Sequence, residues 1–155
     1  MEFSFNTIKS AIENVLLKEK GSKFLSFAFP LNDENDIKKY LYKIREEHPK
    51  ATHHCYAFRY GINGENYRAN DDGEPSGSAG LPIYNQLLAH EITNVLVIVV
   101  RYYGGTKLGV SGLVKTYIKN PQNWLWTKRK SLQKNWNPIL KYILNFINKT
   151  KFSLC

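Results

Sequence analysis

With 155 residues, 43% of them hydrophobic and 14% aromatic, the chain is long enough for one domain with a real core and too apolar to be disordered. Its net charge of +9 is concentrated at one end: residues 1–117 carry 14 Lys and Arg against 13 Asp and Glu, whereas residues 118–155 carry 8 Lys and Arg and no acid. Two cysteines, Cys55 and Cys155, exclude a disulfide framework; the start Met1-Glu2-Phe3 lacks the basic and apolar regions of a secretory signal, and the longest apolar run, Val95 to Val100, is far short of a membrane span. A cytoplasmic protein with no membrane partner is expected.

In chain order, Ala11 to Lys20 and Lys23 to Phe29 flank Gly21-Ser22 and read as a hairpin that Pro30 ends. Asn32 or Asp33 then caps a helix whose apolar positions Ile37, Tyr40, Leu41 and Ile44 keep the 3.6-residue period until His48-Pro49 stops it. A second hairpin follows, His53 to Tyr60 and Asn66 to Ala69 about the turn Gly61 to Gly64. Asn70 to Gly80 has no periodicity and is a loop; Ala79 to His90 is a helix with Ile83, Leu87 and Leu88 inward. The β-branched run Val95 to Val100 suits a central strand buried on both faces, Gly104-Gly105 ends it, and a helix starting between Gly109 and Gly112 follows. This order favours an α+β fold, a two-layer sandwich of a mixed sheet with helices on one face.

Two loops carry the unusual chemistry. Asp71-Asp72-Gly73-Glu74-Pro75-Ser76-Gly77-Ser78-Ala79-Gly80 places three carboxylates and glycines just before a helix. It is either a solvated acidic turn with Ser78 as the helix cap, or a site where the helix amides meet a ligand and the carboxylates hold a cation or basic partner. Arg101-Tyr102-Tyr103-Gly104-Gly105-Thr106-Lys107-Leu108-Gly109 lies between the most buried strand and a helix but lacks the Gly-x4-Gly-Lys-Ser/Thr pattern, which excludes a P-loop triphosphatase. Here Arg101 and Lys107 with Tyr102 and Tyr103 combine phosphate pairing with base stacking, as single-stranded nucleic acid needs. The competing reading buries both tyrosines and pairs Arg101 with the acidic loop.

His53 and His54 point to opposite faces of a strand, which excludes a shared two-His metal site, although either histidine could serve as a base beside Asp71, Asp72 or Glu74. Ser76 and Ser78 lack a nucleophile elbow. The expected ligand-binding set is therefore Arg101, Tyr102, Tyr103, Gly104, Gly105, Lys107, Ser76 and Ser78, with no metal and no cofactor.

Lys20 to Phe24, Ala51-Thr52-His53-His54-Cys55-Tyr56-Ala57, Asp71 to Gly80 and Val99 to Gly109, continued by Gly112-Leu113-Val114-Lys115, together resemble the IMPACT/YigZ family over roughly residues 10 to 117. The resemblance implies an α+β fold like that of a ribosomal small-subunit protein domain and of domain IV in elongation factor G. It also implies a translation-associated regulatory role with RNA or the ribosome, and translation factors, as partners. Eukaryotic members regulate translation through a stress-kinase pathway. Bacterial members carry a second, ferredoxin-like domain with no counterpart here. The alternatives are a metal- or carboxylate-assisted hydrolase and a protein-interaction scaffold.

Residues 118–155 depart from that pattern and hold all three Trp. Back-translating Lys119 to Pro138 and reading from the last base of each codon allows an amphipathic helix of strong formers, consistent with a frameshift near Tyr117. Loss of the family's terminal helix would then expose sheet surface. The competing reading is a basic arm, with Lys128-Arg129-Lys130 on phosphate and Trp124, Trp126 and Trp136 on bases. Ile139, Leu140, Ile143, Leu144 and Ile147 have helical spacing in either case.

Overall fold

The computed structural model describes residues 5–125 and 130–132. They form β1 (Phe5–Thr7), β2 (Ile12–Glu19), β3 (Ser22–Pro30), α1 (Asn35–Glu47), β4 (His53–Tyr60), β5 (Asn66–Asn70), α2 (Gly80–Ala89), β6 (Val95–Tyr102), α3 (Gly109–Leu125) and β7 (Lys130–Leu132). β1 pairs with β7, and the main sheet has the order β2-β3-β6-β4-β5.

The fold is α+β, but the sheet is antiparallel at every neighbouring pair rather than mixed. β3 and β4 do run parallel, being joined across the sheet by α1. They are not neighbours, because β6 enters between them and runs opposite to both. The slanted parallel ladder that a mixed sheet requires is therefore never made.

Helices cover both faces of the sheet, not one. Val95, Val97 and Val99 of β6 join Phe24, Ala28, Cys55 and Ala57 in a core that Ile83 and Leu87 of α2 and Leu113 and Tyr117 of α3 complete. Leu96, Ile98 and Val100 turn the other way, into a second core with Phe27, Phe29, Phe58, and Ile37 and Ile44 of α1. A strand that is apolar at every position needs cover on both sides. α1 supplies the second. Leu88 is exposed instead of inward, while Leu87 and Ile83 are fully buried.

α3 passes through Tyr117 without a break. Asn120 is fully buried and accepts a hydrogen bond from Ser26 Oγ at 3.1 Å, so the residues just beyond 117 pack as part of the domain. Pro121 lies inside this helix and has no N–H to offer the Tyr117 carbonyl. Within the described residues, Tyr117 of α3 meets Phe24 of β3 edge-on at 5.3 Å between ring centres. Trp126, Lys128, Arg129, Trp136 and the segment 139–147 lie outside the described residues. Among those described, no helix is long and apolar enough to cross a membrane.

Candidate functional site

The β2–β3 hairpin turns at Lys20 and Gly21, both with positive φ (45° and 81°), so that Glu19 faces Ser22. Two positive φ values in a two-residue loop match the twist of the flanking strands. The tip lies against the glycine loop after β6: a Cβ on Gly104 would collide with the backbone of Gly21 and Ser22. Gly104 N–H donates to Ser22 Oγ at 3.1 Å. A single missing side chain thus lets two turns from distant parts of the chain touch.

Beneath them lies a buried polar network. In register, Leu17, Phe24, Arg101 and His53 form a row across four strands, with Arg101 at its centre. Arg101 Nη1 donates to Glu74 Oε1 at 2.6 Å, the two side chains being 5% and 3% exposed. Tyr117 O–H donates to the same oxygen at 2.8 Å. Cys55 Sγ lies 3.4 Å from the Tyr117 hydroxyl and 3.0 Å from the Asp71 carbonyl, and its one proton serves either acceptor. Burial pushes the ionisation of both Cys55 and Tyr117 well above the usual range, so each remains a protonated donor. The guanidinium also stacks against Phe24 and Tyr103, 5.4 and 5.5 Å from their ring centres.

The acidic loop ties itself to the sheet. Asp71 accepts from the N–H groups of Gly77 (2.9 Å), Ala79 (3.2 Å) and Gly80 (2.8 Å). Asp71 therefore does the work of the N-cap expected of Ser78, whose hydroxyl donates to the Pro75 carbonyl instead. The amides expected to meet a ligand are already bonded within the chain. Asp72 Oδ2 accepts from His54 N–H at 2.7 Å. Gly80 permits this wrapping, since a Cβ there would clash with the backbone of Asn70.

His53 and His54 do face opposite sides of β4. His53 Nδ1 bonds the Asp72 carbonyl at 2.8 Å, and its Nε2 stands 3.7 Å from Glu74 Oε2. On the other side, His54 Nε2 bonds the His48 carbonyl at 2.9 Å. Each histidine thus donates to a backbone carbonyl. Among the described residues, no three His, Cys, Asp or Glu side chains converge to hold a metal.

Of the expected ligand-binding set, Arg101 and Ser78 are buried, and the Tyr102 hydroxyl lies 2.6 Å from His48 Nδ1 on the α1 side. Tyr103, Gly104, Gly105, Lys107 and Ser76 are exposed. Sequence reading missed the part played by Ser22, Cys55 and Tyr117, which look like ordinary strand and helix residues, and the contact of the hairpin tip with the glycine loop.

Residues 20–125 match the Impact N-terminal domain family, eight residues beyond the limit at 117 read from sequence. The IMPACT family member YvyE of Bacillus subtilis (strain 168) is 38% identical over 120 residues, 77% of this chain and 55% of that protein. The IMPACT family member YigZ of Escherichia coli (strain K12) is 34% identical over 142 residues, covering 88% of this chain and 67% of YigZ. A crystal structure of a hypothetical protein superposes with a TM-score of 0.79 at 33% identity, over 87% of this chain and 65% of that one. The two-domain translational regulator Yih1 shares the fold, with a TM-score of 0.50 at 19% identity over 83% of this chain and 51% of its own. The chain thus spans little more than half of YvyE and of Yih1. On the match across residues 20–125, the chain belongs to the Impact N-terminal domain family.

Proposed function

We propose that this protein is a translation-associated regulatory factor that binds RNA, including RNA in the ribosome, through the exposed end of the sheet formed by the 101–112 loop. The observation that carries the reading is the buried Arg101–Glu74 pair. It pins the acidic loop to the strand end, while Tyr103 and Lys107 are exposed in the loop that holds Gly104 and Gly105. An aromatic face next to a cation suits single-stranded nucleic acid. Arg101 acts as a positioning residue, supporting Tyr103 from beneath. Yih1, which shares this fold, is a translational regulator, and that supports the link to translation.

The hydrolase alternative has less support, because Asp71, Asp72 and Glu74 each hold a hydrogen-bond donor of the protein itself. The test is binding of single-stranded RNA and of ribosomes by the full chain across a salt series. Lys107→Ala should lower the slope of log K against log salt by about 0.7, one phosphate contact. Tyr103→Ala should weaken binding about tenfold or more with the slope unchanged, the loss of one stacked base. If both variants bind as the unaltered chain does, the loop is not the site.

A further inference from the structure

α2 is apolar on two sides, and the sheet accounts for one of them. Ile83 and Leu87 are fully buried in the core, whereas Leu81 and Leu88 are 48% and 42% exposed. With Tyr84 they fall at i, i+3 and i+7, one stripe along the outer side of the helix. Tyr67 of β5, 59% exposed, stacks on Tyr84 at 5.1 Å between ring centres and widens the stripe toward the sheet edge. At the far end Leu88 joins Phe5 and Ile62 in the wall of a cleft. A helix that is apolar on both sides is normally covered on both.

The chain itself leads back to this face. β7 pairs with β1 in a register that sets Leu132 opposite Phe5, a residue of the same cleft wall. Residues 133–155 lie outside the described residues and continue from that point. In their sequence, Asn137-Pro138 is a helix start, a capping residue followed by proline at the first helical position. Leu140, Ile143, Leu144 and Ile147 then keep one apolar side. The linker from Gln133 to Pro138 extends to about 20 Å. A helix over residues 139–147 would be about 13 Å long, close to the roughly 10 Å between Leu81 and Leu88 along α2.

We propose that the segment 139–147 lies along the outer side of α2 and buries Leu140, Ile143, Leu144 and Ile147 on Leu81, Tyr84 and Leu88. The tether favours this occupant over a second copy or a foreign protein. A short linker holds the segment at a high effective concentration beside the face, whereas a separate molecule must first give up its free motion.

The test is a disulfide trap in the full chain carrying Cys155→Ser, Cys55 being buried. Leu88→Cys with Leu144→Cys should close a disulfide within one chain on mild oxidation. The control is Tyr42→Cys with Leu144→Cys, because Tyr42 is exposed on α1, on the opposite side of the sheet. The pair at 88 and 144 should exceed the control about tenfold in yield. Equal yields overturn the proposal and leave the α2 face to another protein. Disulfides formed only between two chains assign the face to a second copy and overturn it as well. If neither pair closes, amide exchange decides. Ile143→Asp with Leu144→Asp should speed exchange at Leu88 and Ala89 several-fold while β6 stays as it is. An α2 that exchanges as in the unaltered chain overturns the proposal.

Discussion

Arg101 illustrates how one side chain can be misread when only its neighbours in sequence are known. Next to two tyrosines and two glycines it looks like a phosphate ligand, yet its side chain is 5% exposed and bonded to Glu74. The competing reading of the residues, Arg101 paired with the acidic loop, is the observed geometry. Its cause is strand parity: Arg101 shares a face with Val97 and Val99, beneath α3. A buried cation without its partner is costly. Glu74→Gln should therefore destabilise the fold by about 3 to 5 kcal/mol in urea unfolding, because the guanidinium and the Tyr117 hydroxyl would share a neutral acceptor. A loss below about 1 kcal/mol would mean that water reaches this pair.

At the level of elements, the loop between β5 and α2 is a built structure rather than a solvated connection. Asp71 gathers three amide groups, two of them at the start of α2, where the helix dipole favours a negative charge. Asp71→Ala leaves these donors without their acceptor and should lower stability by about 1 to 3 kcal/mol. The same variant should raise amide hydrogen exchange at Gly77, Ala79 and Gly80 before it affects β6. Exchange that rises evenly across the domain would show instead that the loop and the sheet open as one unit. α1 was legible from its period, with Ile37 and Ile44 buried as read. Leu88 was not, because α2 has apolar residues around much of its circumference and periodicity cannot choose which of them the sheet covers.

For the whole molecule, the two buried titratable donors set an alkaline limit. Cys55 and Tyr117 resist ionisation in the folded state because burial disfavours their anions, whereas in the unfolded chain they ionise near pH 8.5 and 10. Folded values raised above unfolded ones mean stability that is fully present below pH 8.5 and lost as pH rises beyond it. Unfolding free energy should therefore fall by about 1 kcal/mol between pH 7.5 and 9.5. In Cys55→Ala the decline should begin only near pH 10, and an identical pH profile in that variant would place the titration elsewhere.

Charge at this scale needs both kinds of information. The sequence places +8 of the net +9 beyond residue 117, yet the fold sets Lys18 and Lys23 opposite each other on the Tyr102 face of the hairpin, in a stretch of nearly neutral composition. Composition averages over distance along the chain, whereas a surface potential depends on distance in space.

The amino-acid sequence by itself determined the α+β class, the positions of the main strands and helices, the opposed faces of His53 and His54, and the family, because these follow from local periodicity and from long, specific runs of residues. The tertiary structure alone decided the rest. It set β6 between β3 and β4, making the sheet antiparallel, and placed α1 on the second face. It also turned the carboxylates of the acidic loop inward to Arg101 and to backbone amides, and laid Gly21 on Gly104. Each of these joins residues far apart in the chain, and no local pattern records which distant backbone will approach closely enough to satisfy a buried charge or to require a missing Cβ.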